Sequence, residues 1–116
     1  MDINIKRIYE PATPDDDFRI LVDRLWPRGI SKERAKLDIW LKDVAPSPEL
    51  REWFGHKSEK FKEFTTLYQD ELDRNAALKE LEELVEQHKK VTLLYGAKDP
   101  KINHTAVLKQ FLESKV

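Results

Sequence analysis

The sequence predicts an α/β protein: a small, open, mostly parallel sheet with helices packed on it, in a two- or three-layer Rossmann-like arrangement. Three observations predict this. Short, nearly continuous apolar runs at 18–25 and 91–95 read as strands buried on both faces. Between and after them the apolar residues recur at helical spacing, so strands and helices alternate along the chain. Both runs stop at turn residues, Trp26-Pro27-Arg28-Gly29 and Gly96-Ala97-Lys98-Asp99-Pro100.

Size and charge bound what such a sheet can be. A chain of 116 residues, 40% of them hydrophobic, is sized for one core, so a single domain over 1–116 is expected. Its 21 basic and 22 acidic residues leave a net charge of −1, which gives no overall attraction to nucleic acid or anionic membrane; any anion site must be local. With no cysteine, thiolate nucleophiles, disulfides, Cys-ligated zinc and iron–sulfur clusters are excluded. The first residues lack an apolar signal core, and no apolar run approaches the ~20 residues that span a bilayer, so the expected address is the cytoplasm without membrane contact.

Taken in order, Ile3, Ile5 and Ile8 alternate in a first strand running to about Tyr9 and ending before Pro11. Residues 11–17, with two prolines and Asp15-Asp16-Asp17, predict a solvated loop whose acid run only aids solubility. Phe18 to Leu25 is a central strand, and Pro27 and Gly29 turn the chain at its carboxyl edge. Ser31 caps a short helix over Lys32–Lys36, and Leu37–Leu41 is a further short strand or an extended connection. Ser47-Pro48-Glu49 starts a helix in which Leu50, Trp53 and Phe54 share one face, Trp53 being assigned to the core, and Gly55 ends it.

Phe61, Phe64, Leu67, Tyr68 and Leu72 then define an amphipathic helix after a Ser58 cap, closing near Arg74. Asn75 caps the next, whose apolar stripe is Leu78, Leu81, Leu84, Val85 and His88. The strand Val91–Tyr95 follows. Asn103 caps the last helix, with Val107, Leu108, Phe111 and Leu112 inward and His104 leaning to the same side.

In open parallel sheets, ligands bind outside the carboxyl ends of the strands. That rule brings Arg24, Trp26 and Arg28 toward Tyr95, Lys98 and the Asn103 helix start. Guanidiniums, an ammonium and helix N-terminal amides together suit a carboxylate or phosphate. Trp26, with Trp40 near, supplies a flat apolar wall, and Asp23 and His104 are the candidates for proton transfer. Each has a plainer reading: Asp23 and Arg24 as members of a structural ion-pair network, the tryptophans as core, His104 as a helix-start or loop hydrogen-bond group. His56 and His88 read as structural or solvated. The scattered histidines and the aspartate run fit no metal-ligand spacing, so no metal and no cofactor are expected.

Leu-Val-Asp-Arg-Leu-Trp-Pro-Arg-Gly (21–29), Trp-Leu-Lys (40–42), Ala-Pro-Ser (45–47), Leu-Arg-Glu-Trp-Phe-Gly-His (50–56), the Phe61/Phe64/Tyr68 helix, Leu-Leu-Tyr-Gly-Ala-Lys-Asp (93–99) and Asn103-His104 form a pattern. In these residues the chain resembles the YeaO-like family, also called domain of unknown function 488, over nearly its whole length. The resemblance implies a small bacterial-type α/β domain and no particular reaction. Some members carry a methyltransferase label, but this chain lacks the Gly-rich loop after its first strand that such a cofactor needs. It departs from the family pattern at Gly96 and Thr105, where alanine is usual; the Thr105 hydroxyl is expected to find a local hydrogen-bond partner.

The leading expectation is therefore a small-molecule anion site at the carboxyl edge of the sheet, enzymatic or not, with Arg24, Arg28 and Lys98 as its anion ligands. One alternative is a single-stranded nucleic-acid module, with Trp26 and Trp40 stacking on bases while Lys6, Arg7, Arg28, Arg34 and Lys98 track phosphates. Another is a protein-interaction or oligomerisation surface built on exposed aromatics.

Overall fold

The computed structural model describes residues 2–115. It contains strands β1 (Asp2–Arg7), β2 (Phe18–Leu21), β3 (Ile39–Trp40) and β4 (Lys90–Tyr95), and helices α1 (Lys32–Ala35), α2 (Pro48–Phe54), α3 (Phe61–Asp73), α4 (Ala77–Gln87) and α5 (His104–Ser114). The four strands form one open sheet in the order β1-β4-β2-β3, and every pairing is parallel.

The two apolar runs are the two central strands, and their continuity has a simple cause: both sheet faces are covered. Ile20 and Val22 of β2 and its extension, with Val91 and Leu93 of β4, face a large core closed by Leu50, Phe54, Phe64, Tyr68, Leu81 and Leu108 from α2–α5. Their neighbours Leu21 and Leu94 face the other way, into a smaller cluster with Ile8, Ile30 and Ala35 under α1. The sheet is thus the middle of three layers, thick on one side and thin on the other.

The helix signals act as their chemistry requires. The Ser31 hydroxyl accepts from the Arg34 amide, Ser47 from Leu50, and Asn103 from Ala106, each satisfying an amide that a helix start leaves free. Gly55 leaves α2 in the left-handed region at φ 52°. Asn75 Oδ1 accepts from the Ala77 amide at the start of α4, and His88, just past its end, stacks on Phe18 with ring centroids 3.8 Å apart.

Several expectations are corrected. β2 stops at Leu21, four residues short of Leu25; the Val22 amide still donates to Leu94 O (3.1 Å), and the chain then leaves the sheet. Ser58 opens a 3-10 turn over Ser58–Lys60 and does not cap α3. Trp53 is not core. In a helix of only two turns Leu50 and Phe54 take the inward positions, leaving Trp53 37% exposed beneath the Lys60 ammonium, which lies 4.9 Å from its ring. Leu67 is likewise on the wet side of α3, 41% exposed.

Nor is the aspartate run merely a solvated loop. Asp16 is buried and ties Lys6 of β1 (3.0 Å) to Arg19 of β2 (2.5 Å) at the amino end of the sheet, and the Thr92 hydroxyl of β4 donates to its backbone carbonyl. Arg19 also donates to the Ala35 carbonyl at the end of α1. No described helix is long and apolar enough to cross a membrane.

Candidate functional site

At the carboxyl edge β2 and β4 end side by side, and the loops that leave them diverge around a cleft of about 410 Å³. Gly29, at φ 77°, lets the chain after β2 fold back, where the Trp26 indole N–H holds Ile30 O (2.8 Å) and the Tyr9 hydroxyl holds Arg28 O (2.7 Å). From this loop Asp23, Arg24, Trp26 and Arg28 line the cleft; from the loop after β4 come Gly96 and Ala97. Arg51, Phe54 and His56 come from α2 and its end, Phe64 from α3, and His104 from the first position of α5.

The floor is built around Asp23 and His104. One carboxylate oxygen, Oδ2, accepts the Gly96 amide (2.9 Å), while the other, Oδ1, is buried without a hydrogen-bond partner among the described residues. His104 Nε2 lies 3.0 Å from Val22 O and 3.4 Å from Asp23 Oδ1. Burial pushes the Asp23 carboxyl above the ordinary aspartate value, against the pull of His104, the Gly96 amide, Arg51 and His56. Burial likewise pushes the His104 imidazole below its ordinary value, against the opposing effect of Asp23. Both groups are thereby biased toward their neutral forms. Beside them the Tyr68 hydroxyl donates to Val44 O (2.6 Å), and burial holds its ionisation far out of reach.

The basic residues differ in how free they are. Arg24 is engaged: it donates to Pro46 O (3.3 Å) and Ala45 O (3.1 Å) and lies 3.8 Å from Asp43, strapping the 45–46 loop to the end of β2. Arg28 and Arg51 are exposed, and neither side chain has a partner among the described residues. His56 follows Gly55 in the left-handed region at φ 58°, a conformation that costs a non-glycine residue on the order of 1 kcal/mol and turns His56 over the cleft. Among the described residues no group of three His, Asp or Glu side chains is placed to hold a metal ion.

Residues 2–116 match the family described as the inactive DUF488-N3 subclade. The chain belongs to that subclade of the DUF488 family. It is 44% identical over 116 residues to uncharacterized protein YeaO of Escherichia coli, covering 98% of this chain and 99% of that one. To uncharacterized protein Rv3073c of Mycobacterium tuberculosis it is 46% identical over 113 residues, covering 97% and 95%. No solved structure matches.

In this DUF488 chain, five of the residues singled out from sequence meet in one cleft: Asp23, Arg24, Trp26, Arg28 and His104. Four do not line it. Trp40 props the floor from behind, its indole N–H on Asp23 O (2.7 Å) and its ring edge-on to Trp26 at 5.5 Å. Tyr95 is buried and Lys98 exposed. Asn103 is spent on capping α5 and on donating to Asp99 O (2.7 Å). The Thr105 hydroxyl, expected to find a local partner, is buried with none among the described residues.

Sequence reasoning missed Arg51 and set His56 aside. The first was hidden because only the apolar stripe of α2 was read; an arginine three residues before Phe54 shares the flank of that stripe. The second had a signal in Gly55, whose left-handed turn re-aims whatever follows it. Gly96 also matters: a Cβ there would sit 3.1 Å from Asp23 Oδ2 and 3.4 Å from Pro27 Cβ, so an alanine would have to push the carboxylate.

Proposed function

We propose that the cleft binds a small phosphate or carboxylate anion and holds it without turnover. The observation that supports this most is the charge imbalance of its lining: three guanidiniums (Arg24, Arg28, Arg51) surround a single carboxyl, Asp23, which burial biases toward neutrality. In a chain of net charge −1 that is a local concentration of positive potential, focused further by the concave apolar walls of Phe54 and Phe64. Arg28 and Arg51 are the groups with guanidinium forks to spare for a planar or tetrahedral oxyanion, whereas Arg24 keeps the 45–46 loop in place. A volume of about 410 Å³ suits a metabolite-sized molecule. The family description, inactive, favours binding over catalysis.

Thermal unfolding in the presence of inorganic phosphate, small carboxylates and short single-stranded DNA tests the reading. An anion at about 100 times its dissociation constant adds ~2.7 kcal/mol, a shift of several degrees for a domain of this size. Arg28→Ala and Arg51→Ala should each weaken that shift while changing the unliganded protein by less than about 0.5 kcal/mol, since both side chains are exposed. An undiminished phosphate response in the double variant places the anion elsewhere, and a response to DNA alone favours a nucleic-acid role.

A further inference from the structure

The floor of the cleft says more about the ligand than its rim does. Val22 O is a carbonyl and can only accept, so His104 Nε2, 3.0 Å away, must carry the hydrogen. In the neutral imidazole that leaves Nδ1 as a bare lone pair. Nδ1 has no partner among the described residues and is not one of the buried unpaired atoms, so in a side chain that lines the cleft it is the nitrogen left open to an incoming molecule. The tautomer is held from behind on two counts. Val22 O takes the Nε2 hydrogen directly, and Asp23 Oδ1, 3.4 Å from the same nitrogen and otherwise without a donor, favours hydrogen there as well. Asp23 is in turn fixed by the Gly96 amide on its other oxygen.

An acceptor thus stands at the bottom of a cleft whose rim is lined with donors. Accepting at Nδ1 selects for an O–H or N–H group. A positively charged donor is disfavoured there, because the Arg51 guanidinium lies close enough to act on the ionisation of His104 and an ammonium would add to the positive charge around it. Building on the anion-site reading above, we propose that the ligand is an anion bearing a neutral hydroxyl or amide donor, its charged end at Arg28 and Arg51 and its donor on His104 Nδ1. Hydroxylated phosphates and hydroxy-carboxylates have this chemistry; plain alkyl phosphates and unsubstituted carboxylates do not.

The test compares three probes by calorimetry on the whole chain: inorganic phosphate, glycerol 3-phosphate, and n-propyl phosphate, which has the same carbon skeleton without the hydroxyls. Glycerol 3-phosphate should bind about tenfold or more tightly than n-propyl phosphate, the scale set by one hydrogen bond to an otherwise unmet acceptor in the cleft. His104→Gln retains a side-chain N–H able to reach Val22 O but lacks the Nδ1 acceptor; it should abolish the preference for glycerol 3-phosphate over n-propyl phosphate. Independently of whether that variant folds, imidazole nitrogen NMR of the wild type should show the Nε2–H tautomer, with the Nδ1 resonance moved by glycerol 3-phosphate and not by n-propyl phosphate. Equal affinity for the two esters, an Nδ1–H tautomer, or a preference that survives His104→Gln each overturns the proposal while leaving the anion site standing. If none of the three anions binds, the anion-site reading itself falls and this proposal with it.

Discussion

The two ends of the central strands each hold an aspartate withdrawn from solvent, Asp16 buried and Asp23 half-buried, and the two have opposite fates. At the amino end Asp16 is desolvated, which by itself raises its pKa, but the Thr13 amide, Lys6 and Arg19 together outweigh that and hold the carboxyl below its ordinary value of 3.8. At the carboxyl end Asp23 receives one amide on one oxygen, the other oxygen is orphaned, and desolvation prevails. Asp16 is the less exposed of the two, yet desolvation prevails only at Asp23; the count of donors differs. The well-supplied end joins strands, since Lys6, Arg19 and Thr92 reach Asp16 from β1, β2 and β4. The under-supplied end leaves polar capacity unmet inside a cleft, and the proposed anion site is built on that difference.

Breaking the well-supplied end should have the largest effect. Arg19→Ala leaves Asp16 buried without its closest cation and removes donors from Ala35 O, and should cost about 3–5 kcal/mol in denaturant unfolding. A pH titration of stability should then separate the two ends by sign. The folded-state pKa of Asp16 is lowered, so its contribution is present above 3.8 and is lost as pH falls through the lower folded value. For Asp23 the folded-state pKa is raised, so its contribution is present below 3.8 and is lost as pH rises through the higher folded value. His104, lowered from 6.5, contributes above that pH and loses its share as pH falls through its depressed value.

It follows that Asp23→Asn, which can still accept the Gly96 amide, should match or exceed the wild type at neutral pH, by up to about 1 kcal/mol, while Asp16→Asn is destabilising there. A large loss in Asp23→Asn would show that the two aspartates are both structural and would remove the contrast. The smallest change expected is in Thr105→Val. It deletes a buried, unpartnered hydroxyl at nearly constant shape and should leave stability unchanged or raised by less than about 1 kcal/mol, as read from the denaturation midpoint.

Much of this architecture was legible because its signals are local. The apolar runs at 18–25 and 91–95, the caps at Ser31, Ser47 and Asn103, and the glycines at 29 and 55 each act within a few residues of themselves. The strand-end rule then brought Asp23, Arg24, Trp26, Arg28 and His104 to one edge. What stayed hidden depends on how distant elements meet. Nothing local separates Asp16 from Asp15 and Asp17 except the spacing Thr13-Pro14-Asp15-Asp16, a capping-box-like pattern in which the Asp16 carboxylate accepts the Thr13 amide (3.0 Å). Trp53 reads as core by periodicity because a helical stripe does not reveal that α2 is too short to bury all of it. That Asn103 and Arg24 are spent on capping and on loop carbonyls, and so are less available to a ligand, follows from partners four and about twenty residues away.

The sheet order has a consequence for how this protein comes into being. β4 sits between β1 and β2, which do not pair with each other, so the first three strands have no continuous sheet until residues 90–95 arrive. A chain emerging from the ribosome therefore carries most of the apolar residues of the large core before it can bury them, and that core and the His104–Val22 contact that completes the cleft close together only once β4 and α5 have emerged. Any chain shortened before Lys90 should stay unfolded and exposed to proteases, and the cleft, spanning both halves of the sequence, cannot form in a partly folded chain.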